Sequence, residues 1–157
     1  MKTKFLTITA FIIIVTAIIG CKTEQSKFAK MIEFGEKYAE AWTSKDPKKM
    51  ASFYAQDGML TVNNGTPSIG RKPLSETARS YMEAFPDMVL TMDSLTYVNG
   101  KYRFHWTFKG TNTGPGGTGN KVDFSGFEEW TMNEQGLVQK SIGTYDAQDY
   151  QRQLNGN

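Results

Sequence analysis

The chain has 157 residues, with 18 lysines and arginines against 16 acidic residues, one histidine and one cysteine. This length holds one domain with a sizeable core and leaves no room for two. The near balance of charge offers no basic surface able to displace counterions, so a nucleic-acid partner is not expected.

Lys2 and Lys4 open the chain, and an apolar run from Phe5 to Gly20 follows and ends at Cys21. A basic start, a short apolar stretch and small residues before a cut are the layout of a secretory signal. The run is shorter than the roughly 20 apolar residues that cross a bilayer, and it contains threonines. Ile18-Ile19-Gly20-Cys21 resembles the lipobox of bacterial lipoproteins, which implies cleavage before Cys21 and diacylation of its thiol. Two acyl chains supply a stable membrane anchor at about 0.8 kcal/mol per buried CH2. The expected organisation is a lipoprotein signal peptide over 1–20, a polar tether over 21–27 and a folded domain over 28–157. That domain would be lipid-anchored in the bacterial cell envelope, on the extracytoplasmic side. Residues 1–20 carry two lysines and no acid, so the remaining chain is formally neutral. With its one cysteine lipidated, it has no disulfide to rely on.

Phe28, Met31, Ile32, Gly35, Tyr38, Ala39 and Trp42 recur at spacings of three and four, which predicts an amphipathic helix over Phe28 to Trp42. Ser44 to Pro47 stops it. Asp46 and Pro47 are cap and first residue of a second helix with Met50, Phe53 and Tyr54 on its apolar side, and Asp57-Gly58 is expected to end it. Met59 to Val62 and Thr66 to Ile69 flank Asn64-Gly65, a tight-hairpin signal. A third helix is predicted from Lys72 to Phe85, closing before Pro86.

Strands follow. Val89 to Val98 and Lys101 to Gly110 flank the turn signal Asn99-Gly100, and Val122 to Met132 and Leu137 to Thr144 flank a turn at Asn133 to Gly136. Tyr102, Phe104, Trp106 and Phe108 alternate with Arg103, His105, Thr107 and Lys109, so the aromatic set faces a core or pocket. A final helix runs from Ala147 to Leu154 with Asp146 as its N-cap. This order is α+β, with helices gathered on one face of a strongly curved antiparallel sheet. Such a cone-shaped roll would leave an aromatic cavity for a small, mostly apolar molecule.

His105 to Gly114, with Phe124-Ser125-Gly126-Phe127-Glu128-Glu129-Trp130, resembles the SnoaL-like polyketide and ester cyclases of the nuclear-transport-factor-2-like superfamily. The likeness runs from about Phe34 to Leu154 and includes Phe85-Pro86-Asp87-Met88 and Tyr150-Gln151-Arg152-Gln153-Leu154. It implies the cone of helices and bent sheet. The cyclases of the family move a proton with a last-strand aspartate, helped by a glutamine and a histidine of the preceding strand. Counted back from Arg152-Gln153-Leu154, the aspartate falls on Gly143, the glutamine on Glu128 and the histidine on Trp130. Asp146 matches a second aspartate of the family and is explained by helix capping.

The acid/base of the family is therefore missing. Glu128 is the candidate to replace it, because a carboxylate facing an aromatic cone loses hydration and its pKa rises. The alternative for Glu128 is an exposed or ion-paired strand residue. Glu129 points to the opposite face. His105 shares the polar face with Arg103 and Lys109, which favours an outer-surface or dimer-contact role over a base. With one histidine and no free cysteine, a metal site or a nucleophilic triad has little to draw on, and no cofactor is expected. Gly114 to Gly119 satisfies G-x-G-x-x-G but leads into a strand instead of a helix, so it reads as a hairpin loop, not a dinucleotide site. Asn64-Gly65-Thr66 is an incidental glycosylation sequon.

The expected function is a membrane-tethered binder of a small apolar molecule, without catalysis, with Tyr102, Phe104, Trp106, Phe108, Trp130 and Tyr145 lining the pocket. The alternatives are a cyclase-like enzyme with Glu128 as relocated acid/base, and a protein-interaction module that forms a homodimer through the outer sheet face.

Overall fold

The computed structural model describes residues 25–157; the signal-like run, Cys21 and the start of the tether lie outside the described residues. Contacts divide the chain into two units, Met1–Phe34 and Gly35–Asn157, and the sheet belongs to the second. No helix among the described residues is long and apolar enough to cross a membrane.

Among the described residues helix α1 covers 25–43, which includes the three residues before the amphipathic pattern. Gly35, Tyr38, Ala39, Ala41 and Trp42 are its buried positions in the second unit. Lys45, at φ 61°, turns the chain away. Helix α2, Pro47–Ala51, is capped by Asp46, whose carboxylate accepts from the Lys48 and Lys49 N–H groups. It ends sooner than expected. Phe53 and Tyr54 leave the helix, and strand β1, Tyr54–Val62, starts at Tyr54 itself. Asp57-Gly58 accordingly does not stop the segment; it lies where the strand's register slips between Tyr54 and Met59. A Cβ at Gly58 would come within 2.8 Å of the Val138 carbonyl oxygen, so the backbones approach more closely there than any side chain permits.

The next turn also shifts by one residue. Asn63 and Asn64 take the positive φ values, 46° and 59°, and Gly65 N–H closes on Val62 C=O at 2.8 Å. The returning strand β2 keeps only Ser68–Ile69, pairing with Leu60 and Met59. Asn63 is occupied elsewhere, donating its N–H to Gly143 C=O at 2.9 Å and accepting from Tyr145 N–H at 3.0 Å. Helix α3, Arg71–Ala84, buries Leu74, Ser75, Ala78 and Met82, again at helical spacing.

The four long strands are β3, Val89–Val98; β4, Lys101–Thr111; β5, Lys121–Met132; and β6, Val138–Tyr145. The sheet order is β2-β1-β6-β5-β4-β3. It is mixed, which corrects the expectation of an antiparallel sheet: β1 lies parallel to β6. A parallel pair cannot be joined by a hairpin, and here the connection runs through α3 and four strands. Register shifts at Met92/Ser94 and Thr131/Met132 are bulges of the kind that bend a sheet. On β4, Phe104, Trp106 and Phe108 are buried and Lys109 is exposed.

The glycine-rich loop ties β4 to β5 and is fastened to the end of α3. Gly114 N–H and Asn112 Nδ2 both donate to Ala84 C=O, at 3.2 and 3.1 Å. Helix α4, Ala147–Leu154, is capped by Asp146 through Gln148 and Asp149 N–H. Its Tyr150 ring packs on Phe124, Tyr145 and Phe85.

Candidate functional site

A cavity of about 50 Å³ lies between the helices and the sheet. Trp42 of α1 and Tyr81 of α3 form one wall, with Leu60 and Val62 of β1 and Leu90 of β3. The sheet supplies Trp106 and Phe108 from β4, Phe124 and Glu128 from β5, and Gly143 and Tyr145 from β6. Trp106 lies across its register partner Gly126, where a Cβ would stand 2.5 Å from the indole Cζ2 and equally close to Thr144 C=O. Only glycine permits that overlap.

Glu128 is the one ionisable carboxyl on this lining, and it is 6 % exposed. Its Oε2 accepts from Ser141 Oγ at 2.6 Å, Trp130 Nε1 at 2.8 Å, Tyr38 Oη at 3.1 Å and Tyr54 Oη at 3.4 Å. Its Oε1 has only the longer Tyr38 contact, at 3.3 Å. The two tyrosine hydroxyls also bond each other at 2.9 Å. Burial pushes the Glu128 carboxyl above its ordinary range, against the pull of Ser141, Trp130, Tyr38 and Tyr54, whose donors favour the charged form. Tyr38 and Tyr54 are raised well above the usual tyrosine value, first by burial and then by the Glu128 charge, so both remain protonated donors. Burial likewise raises Tyr81. The result is a carboxyl fixed through one oxygen, with the other sparsely bonded.

Trp106, Phe108, Tyr145 and Glu128, all singled out from the sequence, come together on the cavity. Phe104, Trp130 and Tyr102 do not line it. Phe104 and Trp130 stack at 4.7 Å and 15° under Tyr38, and both are fully buried. Tyr102 sits near the β3–β4 turn against Tyr97, at 4.7 Å between centroids. Glu129 is on the opposite face, where Arg103 Nη2 donates to it at 2.7 Å and holds its carboxyl below the usual range. His105 shares that face and packs near Phe127, at 5.9 Å. Among the described residues no three His, Cys, Asp or Glu side chains gather where they could hold a metal ion.

Sequence reasoning missed Trp42 and Tyr81 as wall residues and Tyr38, Tyr54 and Ser141 as donors to Glu128. A signal existed for Tyr38: a tyrosine on an apolar helix face needs a partner for its hydroxyl.

Helices laid on one face of a bent mixed sheet, around a cavity with a buried carboxyl, define an α+β domain of the nuclear-transport-factor-2 and ketosteroid-isomerase type. The sequence profile of the SnoaL-like polyketide cyclases matches residues 33–154, and the chain belongs to that family. A protein of Catenulispora acidiphila with a ketosteroid isomerase-like fold, solved with trimethylamine, superposes with a TM-score of 0.70 at 14 % identity, covering 78 % of this chain and 92 % of its own. TsrD of Streptomyces laurentii gives 0.70 at 20 % identity over 82 % of this chain and 97 % of its own. A phenazine biosynthesis-related protein of Pseudomonas aeruginosa gives 0.61 at 16 % identity over 82 % and 91 %. A comparison with curated proteins finds no match. At these identities the likeness establishes the fold.

Proposed function

We propose that this is a membrane-tethered domain that binds a small, mostly apolar molecule in the cavity beside Glu128. The observation that carries this reading is the lining itself, in which aromatic and aliphatic side chains surround a single buried carboxyl. By the count back from Arg152-Gln153-Leu154 the family's proton-moving aspartate would fall on Gly143, which has no side chain to move a proton, and this supports binding without turnover as the first expectation. Lipidation of Cys21 would hold the domain at the membrane. Ligand-observed NMR with small apolar fragments tests the binding. Saturation transfer is expected with the wild type and with Thr107→Ala on the outer face. It should be lost in Gly143→Leu, whose side chain fills the cavity. Equal transfer to all three proteins would refute a site in the cavity.

A second reading is favoured by the asymmetry at Glu128. Oε2 is held by four donors while Oε1 is nearly free, the arrangement of a positioned acid/base with a raised pKa. Turnover of an ester or ketone by the wild type, abolished in Glu128→Gln with binding retained, would establish this reading.

A further inference from the structure

A second and wider recess, a groove of about 470 Å³, lies between α2 and the first half of α3, and its charge is nearly all of one sign. Lys48 lines it from α2, and Arg71, Lys72 and Arg79 line it from α3, with Glu76 as the one acid among them. None of these five side chains has an ion-pair partner among the described residues. Three positive charges are therefore left unbalanced in one groove. Asp46 does not answer them, because its carboxylate is turned to the Lys48 and Lys49 N–H groups as the cap of α2, and α3 has no acid in its first turn. Arg71 is pinned in place by its Nε, which donates to Tyr54 C=O at 3.0 Å and leaves both Nη groups without a protein acceptor.

Ser75, one turn beyond Arg71 on the same lining, is only 8 % exposed. Its hydroxyl makes no hydrogen bond among the described residues, whereas Ser52 across the groove donates to Lys49 C=O at 2.7 Å and Ser80 to Thr77 C=O at 2.7 Å. Nor is it sealed from water as the Trp42 and Trp106 Nε1 atoms are, and the opening that reaches it is this groove. Buried hydroxyls in native proteins are almost always paired. A cleft lined by one sign of charge also concentrates counter-ions. The free hydroxyl and the unbalanced cations ask for the same thing, an anion rich in acceptor oxygens.

We infer that this groove binds a phosphoryl group, its oxygens taken by the Arg71 guanidinium, the Lys48, Lys72 and Arg79 cations and the Ser75 hydroxyl. The inference is independent of the aromatic cavity and of what that cavity holds. A tetrahedral anion offers acceptors on several sides at once, which suits donors arriving from two helices, while a carboxylate offers two oxygens in one plane. A phosphate monoester also brings about 1.5 to 2 negative charges at neutral pH. Four cations in one groove hold a single phosphoryl group and form no stripe for a nucleic-acid backbone. The group can arrive on a soluble phosphate ester or on an anionic lipid headgroup, since both present the same oxygens.

Calorimetric titration of the whole chain in an uncharged detergent, at fixed ionic strength, tests the site. Inorganic phosphate is expected to bind about tenfold more tightly than acetate. Lys72→Gln combined with Arg79→Gln should weaken phosphate by about tenfold or more, and Ser75→Ala by about fivefold. Glu76→Gln should strengthen it. Arg152→Gln removes the same kind of charge from α4, where Arg152 pairs with Asp149, and should leave the affinity unchanged. Phosphate that does not bind, that binds no better than acetate, or that weakens as much in Arg152→Gln as in the groove variant overturns the site. Full affinity in Ser75→Ala overturns it as well. Glycerol phosphate in solution and phosphatidate mixed into the micelles then compete for the bound phosphate with the same head group. Stronger competition by phosphatidate assigns a lipid headgroup to the groove, and stronger competition by glycerol phosphate assigns a soluble ester.

Discussion

Replacing Glu128 with alanine withdraws the acceptor from four buried donors at once. Tyr38 and Tyr54 retain their mutual bond at 2.9 Å, so one tyrosine hydroxyl, Ser141 Oγ and Trp130 Nε1 each lose the bond they made to the carboxylate. A buried donor that loses such a bond costs about 1 to 3 kcal/mol. Three of them, sharing one collapsed site and therefore not additive, give an expected loss of about 3 to 6 kcal/mol for Glu128→Ala, a large part of a domain's total stability. Glu128→Gln keeps an amide oxygen for the four-donor side and turns its NH2 toward the sparsely bonded position of Oε1. Its expected cost is about 1 to 2 kcal/mol. Urea unfolding of the three proteins, fitted with a common m-value, measures both. If alanine and glutamine cost the same, and each less than about 1 kcal/mol, the network does not hold this end of the sheet.

The pH dependence decides which force dominates at Glu128. Its folded pKa lies above the unfolded value, so between the two the folded state holds a proton that the unfolded chain has released. The carboxyl's contribution is therefore fully present below the ordinary carboxyl range and is lost as pH rises through the raised folded value. The penalty of Glu128→Gln relative to wild type should shrink from acid toward neutral pH. A penalty that grows over the same interval would mean that the four donors outweigh desolvation.

Gly126→Ala should be among the most damaging single-methyl changes in the domain, at about 2 kcal/mol or more, because the new Cβ meets Thr144 C=O and the Trp106 ring at 2.5 Å. Thermal melts would show it, and a loss within error would mean the Trp106 ring shifts freely. Trp106→Ala should cost about 3 to 5 kcal/mol if the indole acts as core, and less if the cavity already isolates it. Metabolic labelling with a fatty-acid analogue should mark the whole chain and spare Cys21→Ser; equal labelling of both would end the lipoprotein reading.

The strand half of the fold was close to the surface of the sequence. Asn99-Gly100, the β4 alternation and the Asp146 cap are local signals, and the boundaries they predict fall within a residue of those observed. The parallel pairing of β1 with β6 was not legible, because residues 63–137 lie between those strands and no turn announces it. Asp57-Gly58 misled for a related reason: a glycine required by a close approach to Val138 looks, in one dimension, like a glycine required by a turn. Alternation placed Phe104 and Trp130 on the inner face but could not give their depth: they stack on each other, with Tyr38 edge-on to both, off the cavity lining. The helical walls, Trp42 and Tyr81, depend on how α1 and α3 lie over the sheet, which no strand pattern encodes.

Gly143 and Glu128 explain each other. They are register partners on neighbouring strands, and a Cβ at Gly143 would sit 3.6 Å from Glu128 Cγ, in ordinary contact. The space therefore admits a side chain, and what resists an acid there is charge, since two desolvated carboxyls at this distance cannot both ionise. Gly143→Asp should raise the apparent pKa of the pair and weaken the fold increasingly as pH rises, while Gly143→Asn, of the same shape, should not. A double-mutant cycle isolates the cause. Glu128→Gln, destabilising in the wild type, should become neutral or stabilising in the Gly143→Asp background at neutral pH, a coupling of about 1 to 3 kcal/mol. Additive costs would refute it. On this argument the ladder position holds one carboxyl on either strand but not on both, and the glycine on β6 is the counterpart of the glutamate on β5.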